Sequence, residues 1–336
     1  MLPDWPRAWG GPAAQAVLRQ ANTDFQVEEL FEFLPSGDGE FDWLLVEKSG
    51  DSTEFVARAL AKQLGLPARA VGYSGLKDRH ALTRQWYCLH RPGKAALNWS
   101  TLLGDNWRVV KGVRHRQKLR RGSHRGNRFV LILNEVVGDR PLLNERLSAL
   151  TAGFPNYFGE QRFGIDGGNI AACRQWFEQG GQPARFEKGL YLSSARSWLF
   201  NQVLAQRVFS GTWDKALDGE VLALRDSGSV FSEPLSDEIV ARVASGDLHP
   251  TGPLFGAPAK ISVAGEVAAL EQQQCNAEPV LCAGLAKHGL KMERRALRVL
   301  PKELSWEWLD AKCLRLEFAL PRGCFATALV RELVTY

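Results

Sequence analysis

The fold can be predicted outward from one stretch, Val71-Gly72-Tyr73-Ser74-Gly75-Leu76-Lys77-Asp78-Arg79-His80-Ala81-Leu82-Thr83. Its first three residues predict a short strand that enters a glycine-rich turn, and the residues from Leu82 to His90 predict a second strand. Asp78 lies at the apex of the turn and is the only carboxylate in the quoted stretch. We therefore expect a strand-turn-strand unit that presents one aspartate on a loop.

Asp78 is flanked by three basic residues, Lys77, Arg79 and His80. Neighbouring cations depress the pKa of a carboxyl group, so we expect Asp78 to be ionised near neutral pH. An ionised carboxylate on a loop can act as a nucleophile or a general base on an anionic substrate. The alternative is an aspartate that only caps its own turn, with the cations as solvated neighbours.

The composition is that of an ordinary soluble globular protein, with 45% hydrophobic and 24% charged residues in a chain of 336. This length leaves room for two domains, or for one domain with a large insertion. Six cysteines are scattered without a CxxC pair, which favours reduced thiols in a cytoplasmic protein over a metal site or a disulfide framework. The chain starts without the pattern of a signal peptide, and no apolar run of about 18 residues predicts a membrane span.

The basic residues are concentrated in one segment. The net charge is +5, yet residues 106–134 contain nine Lys or Arg and no Asp or Glu, so the rest of the chain is net negative. Such a run repels itself unless phosphates neutralise it, which predicts a nucleic-acid partner; the alternative is a solvated loop. Zinc-finger and RNP1 signatures are missing, so RNA recognised by shape fits better than duplex DNA. The candidate RNA-binding residues are Lys77, Arg79, His80, Arg116, Lys118, Arg120, Arg121, Arg125 and Arg128.

Strands and helices are predicted without regular β-α-β alternation, so we expect an α+β fold with a largely antiparallel sheet. Residues 13–22 predict a helix, and the turn at 35–39 predicts a hairpin with a strand over 41–48. Ser52 predicts the start of a helix that ends near Gly65. Further strands are predicted at 22–29, 107–113, 129–137 and 313–320, and further helices at 141–152, 194–209, 236–245, 263–275 and 326–334.

Three aromatic residues, Phe25, Phe129 and Phe325, are candidates for stacking on a base, although rings in such positions are more often part of the core. The run from Asn156 to Gly164 is rich in aromatic and polar residues and fits either a binding loop or a domain junction. The chain lacks the P-loop, GxGxxG, HExxH and GxSxG patterns. The best enzymatic interpretation is therefore cofactor-free chemistry carried out by Asp78.

Seven separated stretches, in the same order, resemble the TruD family of tRNA pseudouridine synthases. They are Asp24–Glu29, Gly39–Glu40, Ser74–Gln85, Gly126–Phe129, Pro155–Gly164, Ser193–Ser197 and Leu320–Leu333. The resemblance implies a pseudouridine-synthase catalytic domain with a largely antiparallel mixed sheet at 1–154 and 306–336. It also implies a smaller α/β TRUD insertion domain at 155–305. The overall length is similar to the bacterial branch of the family, which modifies uridine 13 of tRNA.

The resemblance also implies roles for individual residues. Asp78 resembles the catalytic aspartate of pseudouridine synthases, and Phe129 the ring that stacks on the target uracil. Asn127 resembles the amide that helps to hold the active-site loop, and Phe25 and Phe325 resemble two further aromatics of the pocket. Arg19 stands where the family usually has a lysine, so the charge is kept but a point ammonium is replaced by a planar guanidinium.

The implied partner is tRNA, with no metal and no cofactor, since pseudouridine is an isomer of uridine. No obligatory protein partner is indicated. Three routes for Asp78 stay open: attack on C1′ of the ribose, removal of the proton at C2′ to form a glycal, or attack on C6 of the base. The rival hypotheses are a non-catalytic protein that binds or remodels tRNA, and a different RNA-modifying enzyme such as a methyltransferase.

Overall fold

The computed structural model describes residues 2–33 and 35–336. In chain order its strands are β1 (Ala14–Leu18), β2 (Phe25–Leu30), β3 (Phe41–Ser49), β4 (Val71–Tyr73), β5 (Leu82–His90), β6 (Leu103–Gly104), β7 (Trp107–His115), β8 (Gly126–Gly138), β9 (Phe154–Pro155), β10 (Leu222–Leu224), β11 (Val230–Phe231), β12 (Leu248–Leu254), β13 (Glu293–Ala296), β14 (Arg298–Val299), β15 (Lys302–Trp308), β16 (Leu314–Pro321) and β17 (Val334–Thr335). Its helices are α1 (Thr53–Gln63), α2 (Arg140–Ala149), α3 (Gly168–Gln179), α4 (Arg185–Phe209), α5 (Asp237–Ala244), α6 (Gly265–Ala277), α7 (Pro279–Lys287) and α8 (Ala326–Val330).

The chain folds into two compact units, each assembled from separate segments. The sheet unit consists of Ala14–Asp139, Pro301–Gly323 and the last two residues. The helical unit consists of the residues up to Ala13, Arg140–Leu300 and Cys324–Val334. The predicted division into a catalytic domain (1–154 and 306–336) and an insertion domain (155–305) stays a prediction, and the compact units divide the chain at other points.

The sheet unit is built on one long sheet with the strand order β15-β16-β8-β2-β5-β3-β7-β6, to which β1 adds on β8 and β4 adds on β5. β2 and β5 run parallel, whereas the other neighbouring pairs along this path are antiparallel. The predicted α+β class with a largely antiparallel, mixed sheet is confirmed. The parallel pair places the start of β5, directly after the turn that carries Asp78, beside β2.

Helix α1 covers one face of this sheet. Its N-cap is Ser52, whose side-chain oxygen accepts a hydrogen bond from the backbone N–H of Phe55 at 3.2 Å, as the sequence predicts. Val56 and Leu60 of the helix are fully buried against Leu44 of β3 and Tyr87 of β5. Burial of side chains of this size stabilises the fold by about 1.5–3 kcal/mol each and fixes the helix relative to β4 and β5.

Two sequence-based predictions in the sheet unit are wrong. Residues 14–18 form strand β1 rather than a helix, because they pair with β8, with Ala14 opposite Gly138 and Leu18 opposite Leu133. Pairing of this kind overrides a weak helical preference. The turn at 35–39 does not close a hairpin, because β5 lies between β2 and β3 in the sheet. Both strands instead pair with β5 from opposite sides.

The helical unit contains a four-stranded antiparallel sheet with the order β11-β10-β12-β13 and a second, two-stranded sheet of β14 and β9. The long helix α4 contributes Leu199, Phe200 and Leu204 to its core, each fully buried. The helices predicted over 194–209, 236–245 and 263–275 correspond to α4, α5 and α6, whereas α3 and α7 were not predicted. Both missed helices begin next to glycine or proline, residues that the sequence analysis treats as loop signals.

We predict that Gly126→Ala destabilises the sheet unit. Gly126 pairs with Pro321 across β8 and β16, and a Cβ atom at this position would overlap the backbone carbonyl oxygen of Leu320. Overpacking against backbone costs about 1–3 kcal/mol, which a lower midpoint of chemical denaturation would report. The matched control is Gly72→Ala in β4, whose Cβ would lie 3.4 Å from the carbonyl oxygen of Leu119, an ordinary contact. Equal midpoints for the two variants would contradict the prediction.

Candidate active site

The loop that carries Asp78 connects β4 to β5, which pair with each other in antiparallel fashion. Thr53, at the start of α1, accepts a hydrogen bond from the backbone N–H of Lys77 through its hydroxyl at 2.9 Å. The same hydroxyl donates to the side-chain oxygen of Gln85 at 2.8 Å, and the Gln85 amide donates to the carbonyl of Gly75 at 3.1 Å. Thr53 and Gln85 are both buried. A satisfied polar network of this kind fixes the backbone of the loop before any ligand binds.

A buried ion pair ties the loop to β2. The Lys77 ammonium lies 2.6 Å from a carboxylate oxygen of Glu29, with side chains 7% and 0% exposed. The other carboxylate oxygen of Glu29 accepts the backbone N–H of Trp86 at 3.0 Å. Burial raises the pKa of Glu29, and the charge of Lys77 acts in the opposite direction. Lys77, predicted from sequence to bind RNA, is thus engaged within the protein, and its contact with RNA stays a prediction.

Asp78 uses both carboxylate oxygens. One accepts a charge-assisted hydrogen bond from Arg19 Nη1 at 2.7 Å. The other accepts the backbone N–H of His80 at 3.0 Å, which is an Asx-turn. The two interpretations of Asp78 therefore coexist, because the residue caps its own turn and also forms an ion pair. Its side chain is 23% exposed, so a substrate can reach the carboxylate.

Arg19 bridges Asp78 and an aromatic ring. The guanidinium carbon lies 4.0 Å from the centre of the Phe25 ring, within the range of a cation–π interaction. The backbone of Arg19 has φ +67°, in the left-handed region that costs a non-glycine residue about 1–2 kcal/mol. The Arg19 side chain thus contacts Asp78 through Nη1 and Phe25 through its guanidinium plane, and strained backbones of this kind cluster at functional sites.

Phe25 and Phe129 lie on one face of the sheet, on the neighbouring strands β2 and β8. Their ring centres are 6.2 Å apart at 81°, and Phe129 also stacks on Phe318 of β16 at 5.4 Å. Phe25 and Phe129 are 4% and 6% exposed, so both rings are packed in the protein. Asn127 shares this face, because it lies two residues before Phe129 on the same strand. Among the described residues, its buried side-chain oxygen has no hydrogen-bond partner.

Phe325 belongs to the helical unit. Its ring lies 5.8 Å from that of Phe158, and the guanidinium carbon of Arg162 lies 5.9 Å from its centre. The run from Asn156 to Gly164, interpreted from sequence as a binding loop or a junction, packs into this unit. Asn156 is buried and donates from its side chain to the carbonyl of Ala296 at 2.8 Å.

The basic segment is largely neutralised by acids that are distant in sequence. Five of its cations form ion pairs, namely Arg108 with Glu47, Arg114 with Asp42, Arg116 with Asp38, Arg125 with Glu32 and Arg128 with Glu303. The argument that these charges repel one another unless phosphates bind is therefore wrong for this part of the segment. Within residues 2–33 and 35–336, Lys118, Arg120 and Arg121 have no carboxylate partner. Arg79 and His80 of the Asp78 loop are exposed.

Lys48 is a residue of the site that the sequence analysis missed. It is 1% exposed, and its ammonium donates to the backbone carbonyl of Asp78 at 3.0 Å and to that of Asp51 at 2.9 Å. Burial lowers the pKa of Lys48 to about 8, while the negative charge of Asp78 opposes this shift. The alternation of buried residues in β3 could have identified Lys48 from the sequence, since Lys48 follows the buried Leu44 and Val46 on the same face of the strand. A lysine at an inward-facing position is rarely without a partner.

In the part of the chain that the structure describes, no group of His, Cys, Asp and Glu is arranged to hold a metal ion. None of the described helices combines the length and the apolar character needed to cross a membrane.

The chain as a whole matches a known class of protein, the tRNA pseudouridine synthases. A solved structure from Methanosarcina mazei, described as a tRNA pseudouridine synthase D (TruD), shares the fold with a TM-score of 0.72 at 20% sequence identity. The match covers 98% of this chain and 95% of the other. The family model for tRNA pseudouridine synthase D (TruD) matches residues 7–170 and 184–333. The chain belongs to the TruD family, so the family predicted from the seven stretches is confirmed.

Curated relatives match over nearly their whole length. A protein of Xanthomonas campestris pv. campestris (strain 8004) is 46% identical over 347 residues, and one of Pseudomonas fluorescens (strain Pf0-1) is 47% identical over 331 residues. Each match covers 98% of this chain and 94% of the relative. Both relatives are named tRNA pseudouridine synthase D.

We predict that Lys48→Met removes a pH-dependent part of the stability. The folded chain releases the Lys48 proton near pH 8, whereas the unfolded chain holds it up to about pH 10.5. The unfolded state thus binds more protons in this window, so the stability conferred at position 48 rises with pH between these values. The denaturation midpoint of the wild type minus that of the variant should therefore rise with pH over this range. Lys62→Met, on the exposed side of α1, is the control, and a constant difference for Lys48→Met would contradict the prediction.

Proposed function

We propose that this protein converts a uridine of tRNA to pseudouridine, with Asp78 as the essential carboxylate and uridine 13 as the target. The observation that carries the proposal is the accessible, ion-paired Asp78 on a braced loop in a chain matched by the TruD family over nearly its full length. The target position rests on the resemblance to the bacterial branch of the family. Cytoplasm is the proposed location, since the substrate is tRNA.

The target uridine must leave its stack before it can react. Unstacking costs a few kcal/mol, which contacts to phosphates and stacking on protein side chains return. Phe25 and Phe129 provide a rigid aromatic wall beside Arg19 and Asp78. The buried side-chain oxygen of Asn127, which has no hydrogen-bond partner among the described residues, lies on the same face, and it is an acceptor suited to the N3–H of a uracil. Phe325 is proposed as a substrate-binding residue on the family resemblance alone.

The reaction rearranges bonds without a net transfer of atoms. In the first route an oxygen of Asp78 bonds to C1′, and the N1–C1′ bond breaks with its electron pair passing to uracil. The base turns within the pocket, C5 bonds to C1′, the carboxylate leaves, and the proton lost from C5 is replaced by one gained at N1. In the glycal route Asp78 instead removes the C2′ proton, and in the third route it bonds to C6. All three routes need an ionised carboxylate. Arg19 and the backbone N–H of His80 stabilise it, because each donates a hydrogen bond to one of its oxygens.

We predict that Asp78→Asn abolishes pseudouridine formation in an unmodified tRNA transcript while tRNA binding is retained. The amide keeps the size of the side chain but cannot act as a nucleophile or base at neutral pH. Asp105→Asn, at an exposed position outside the loop, is the matched control and should turn over like the wild type. Product from Asp78→Asn at the wild-type rate would place the chemistry elsewhere. Wild-type protein that binds tRNA without making product would favour the rival role of a non-catalytic tRNA-binding protein.

We predict that Arg19→Ala lowers the single-turnover rate constant at saturating tRNA about 100-fold, because a misplaced catalytic group costs roughly this factor. Arg19→Lys should stay within about tenfold of the wild type, since an ammonium restores the charge but not the planar contact with Phe25. The rate is followed by quantifying pseudouridine in quenched samples. Equal rate constants for Arg19→Ala and the wild type would show that the ion pair has no part in the reaction.

A further inference from the structure

A cleft in the sheet unit lies between α1 and residues 118–121 in the middle of the basic segment, and Asp78 is not among its lining residues. Its volume is about 590 Å³, within the range of small-molecule sites. We call it the α1 cleft. It is lined by Glu54, Ala57, Arg58, Ala68, Val71, Gly72, Tyr73, Lys118, Leu119, Arg120 and Arg121.

The residues around the α1 cleft carry a net positive charge, since four cations and one carboxylate, Glu54, line it. Arg58 of α1 faces this space together with Lys118, Arg120 and Arg121, and in the described parts of the chain none of the four forms an ion pair with a carboxylate. Neighbouring cations of the same segment are paired, as in Arg116 with Asp38 at 2.7 Å. Of the four cations of the basic segment that form no ion pair within the described residues, Lys118, Arg120 and Arg121 line this cavity and Lys111 does not. This clustering is the electrostatic pattern of an anion-binding site.

The cleft is also preformed. Arg121 is held on Tyr73, with its guanidinium carbon 5.1 Å from the ring centre and Nη2 donating to the phenolic oxygen at 3.2 Å. The next residue, Gly122, donates its N–H to the carbonyl of Ser74 at 2.7 Å. The Ser74 hydroxyl lies 2.5 Å from Nδ1 of His124 and accepts the His124 N–H at 3.1 Å. A loop fixed in this way has little entropy to lose when a ligand binds.

The floor of the cleft is apolar, in contrast to its rim. Ala57, Val71 and Leu119 are 7%, 7% and 3% exposed, so the floor of the cleft consists of residues at the edge of the hydrophobic core. A nucleotide has the matching chemistry, with an anionic phosphate for the cations and a flat base for the apolar floor. Glu54 adds a carboxylate acceptor at the same cavity. Guanine matches it best, because its N1–H and N2–H donors are adjacent and can bond to both oxygens of one carboxylate.

We propose that the α1 cleft anchors one unstacked nucleotide of the tRNA, a guanosine by its chemistry, at a site separate from the pocket of the target uridine. The inference rests on the proposed function, which supplies tRNA as the ligand. Two anchors on the sheet unit set the position of the target nucleotide relative to Asp78, because binding at the cleft restricts where the rest of the RNA can lie. Recognition of unstacked bases together with phosphates is how proteins select folded RNA.

The first test compares tRNA affinity over a range of salt concentrations. Arg58→Ala should raise the Kd about 3- to 10-fold at 0.1 M salt, and it should lower the slope of log K against log salt by about 0.7, the value for one contact to single-stranded phosphate. Arg58→Lys should keep the wild-type slope because the charge remains. Lys62→Ala removes a cation from the same helix outside the cleft and is the matched control. A slope for Arg58→Ala equal to that of Lys62→Ala would overturn the proposal.

The second test maps the base. Transcripts with 6-thioguanosine in place of some guanosines are bound to Asp78→Asn protein, irradiated, and the crosslinked peptides are identified by mass spectrometry. Crosslinks to the α1 peptide around Glu54 or to the 118–121 peptide are expected, and crosslinks confined to other peptides would overturn the proposal. Pseudouridine formation by the wild type is measured in parallel. If the wild type makes pseudouridine but the cleft tests fail, the cleft proposal alone is rejected. If the wild type neither makes pseudouridine nor binds tRNA, the proposed function and the cleft proposal are rejected together.

Discussion

Two attachments to one strand hold the candidate catalytic loop. Glu29 of β2 binds Lys77 in a buried ion pair, and Phe25, four residues earlier on the same face of β2, supports the guanidinium of Arg19 that binds Asp78. Both attachments depend on β2 lying beside β5, since only this parallel pairing brings the loop over that face. Breaking one partner of a buried ion pair costs about 3–5 kcal/mol. The position of Asp78 is thus built into the sheet and not left to a mobile loop.

The elements next to the quoted stretch could be predicted because their signals are local. The alternation and the glycines around Asp78 correctly predicted β4 and β5, and Ser52 as an N-cap correctly predicted the start of α1. The order of strands could not be predicted in the same way. A turn composition at 35–39 is compatible with a hairpin, yet it cannot reveal that β5 occupies the space between β2 and β3. Pairing is decided by burial across the whole sheet, which no short window contains.

The candidate site shows the same limit in its charges. Asp78 could be selected from sequence because its bases are adjacent, and its Asx-turn is equally local. Lys77 could not be matched to Glu29, 48 residues away, nor Arg128 to Glu303. Counting cations along the chain therefore overstated the free positive charge of the basic segment. The family resemblance, which samples positions throughout the chain, indicated Arg19 and Asn127, which the residue pattern alone did not single out.

Strand β8 pairs with other strands along both of its edges, and the partners of the two edges are synthesised at very different times. One edge pairs with β1 and β2, which precede it in the chain. The other edge pairs with β16, from Gly126 to Leu133, and β16 emerges only after the whole of Arg140–Leu300. At about 5–20 residues per second, the ribosome needs roughly 10–30 s to make that interval. An open strand edge is a template for association with other chains, so this edge of β8 is open to such association until its last partner, β16, is synthesised.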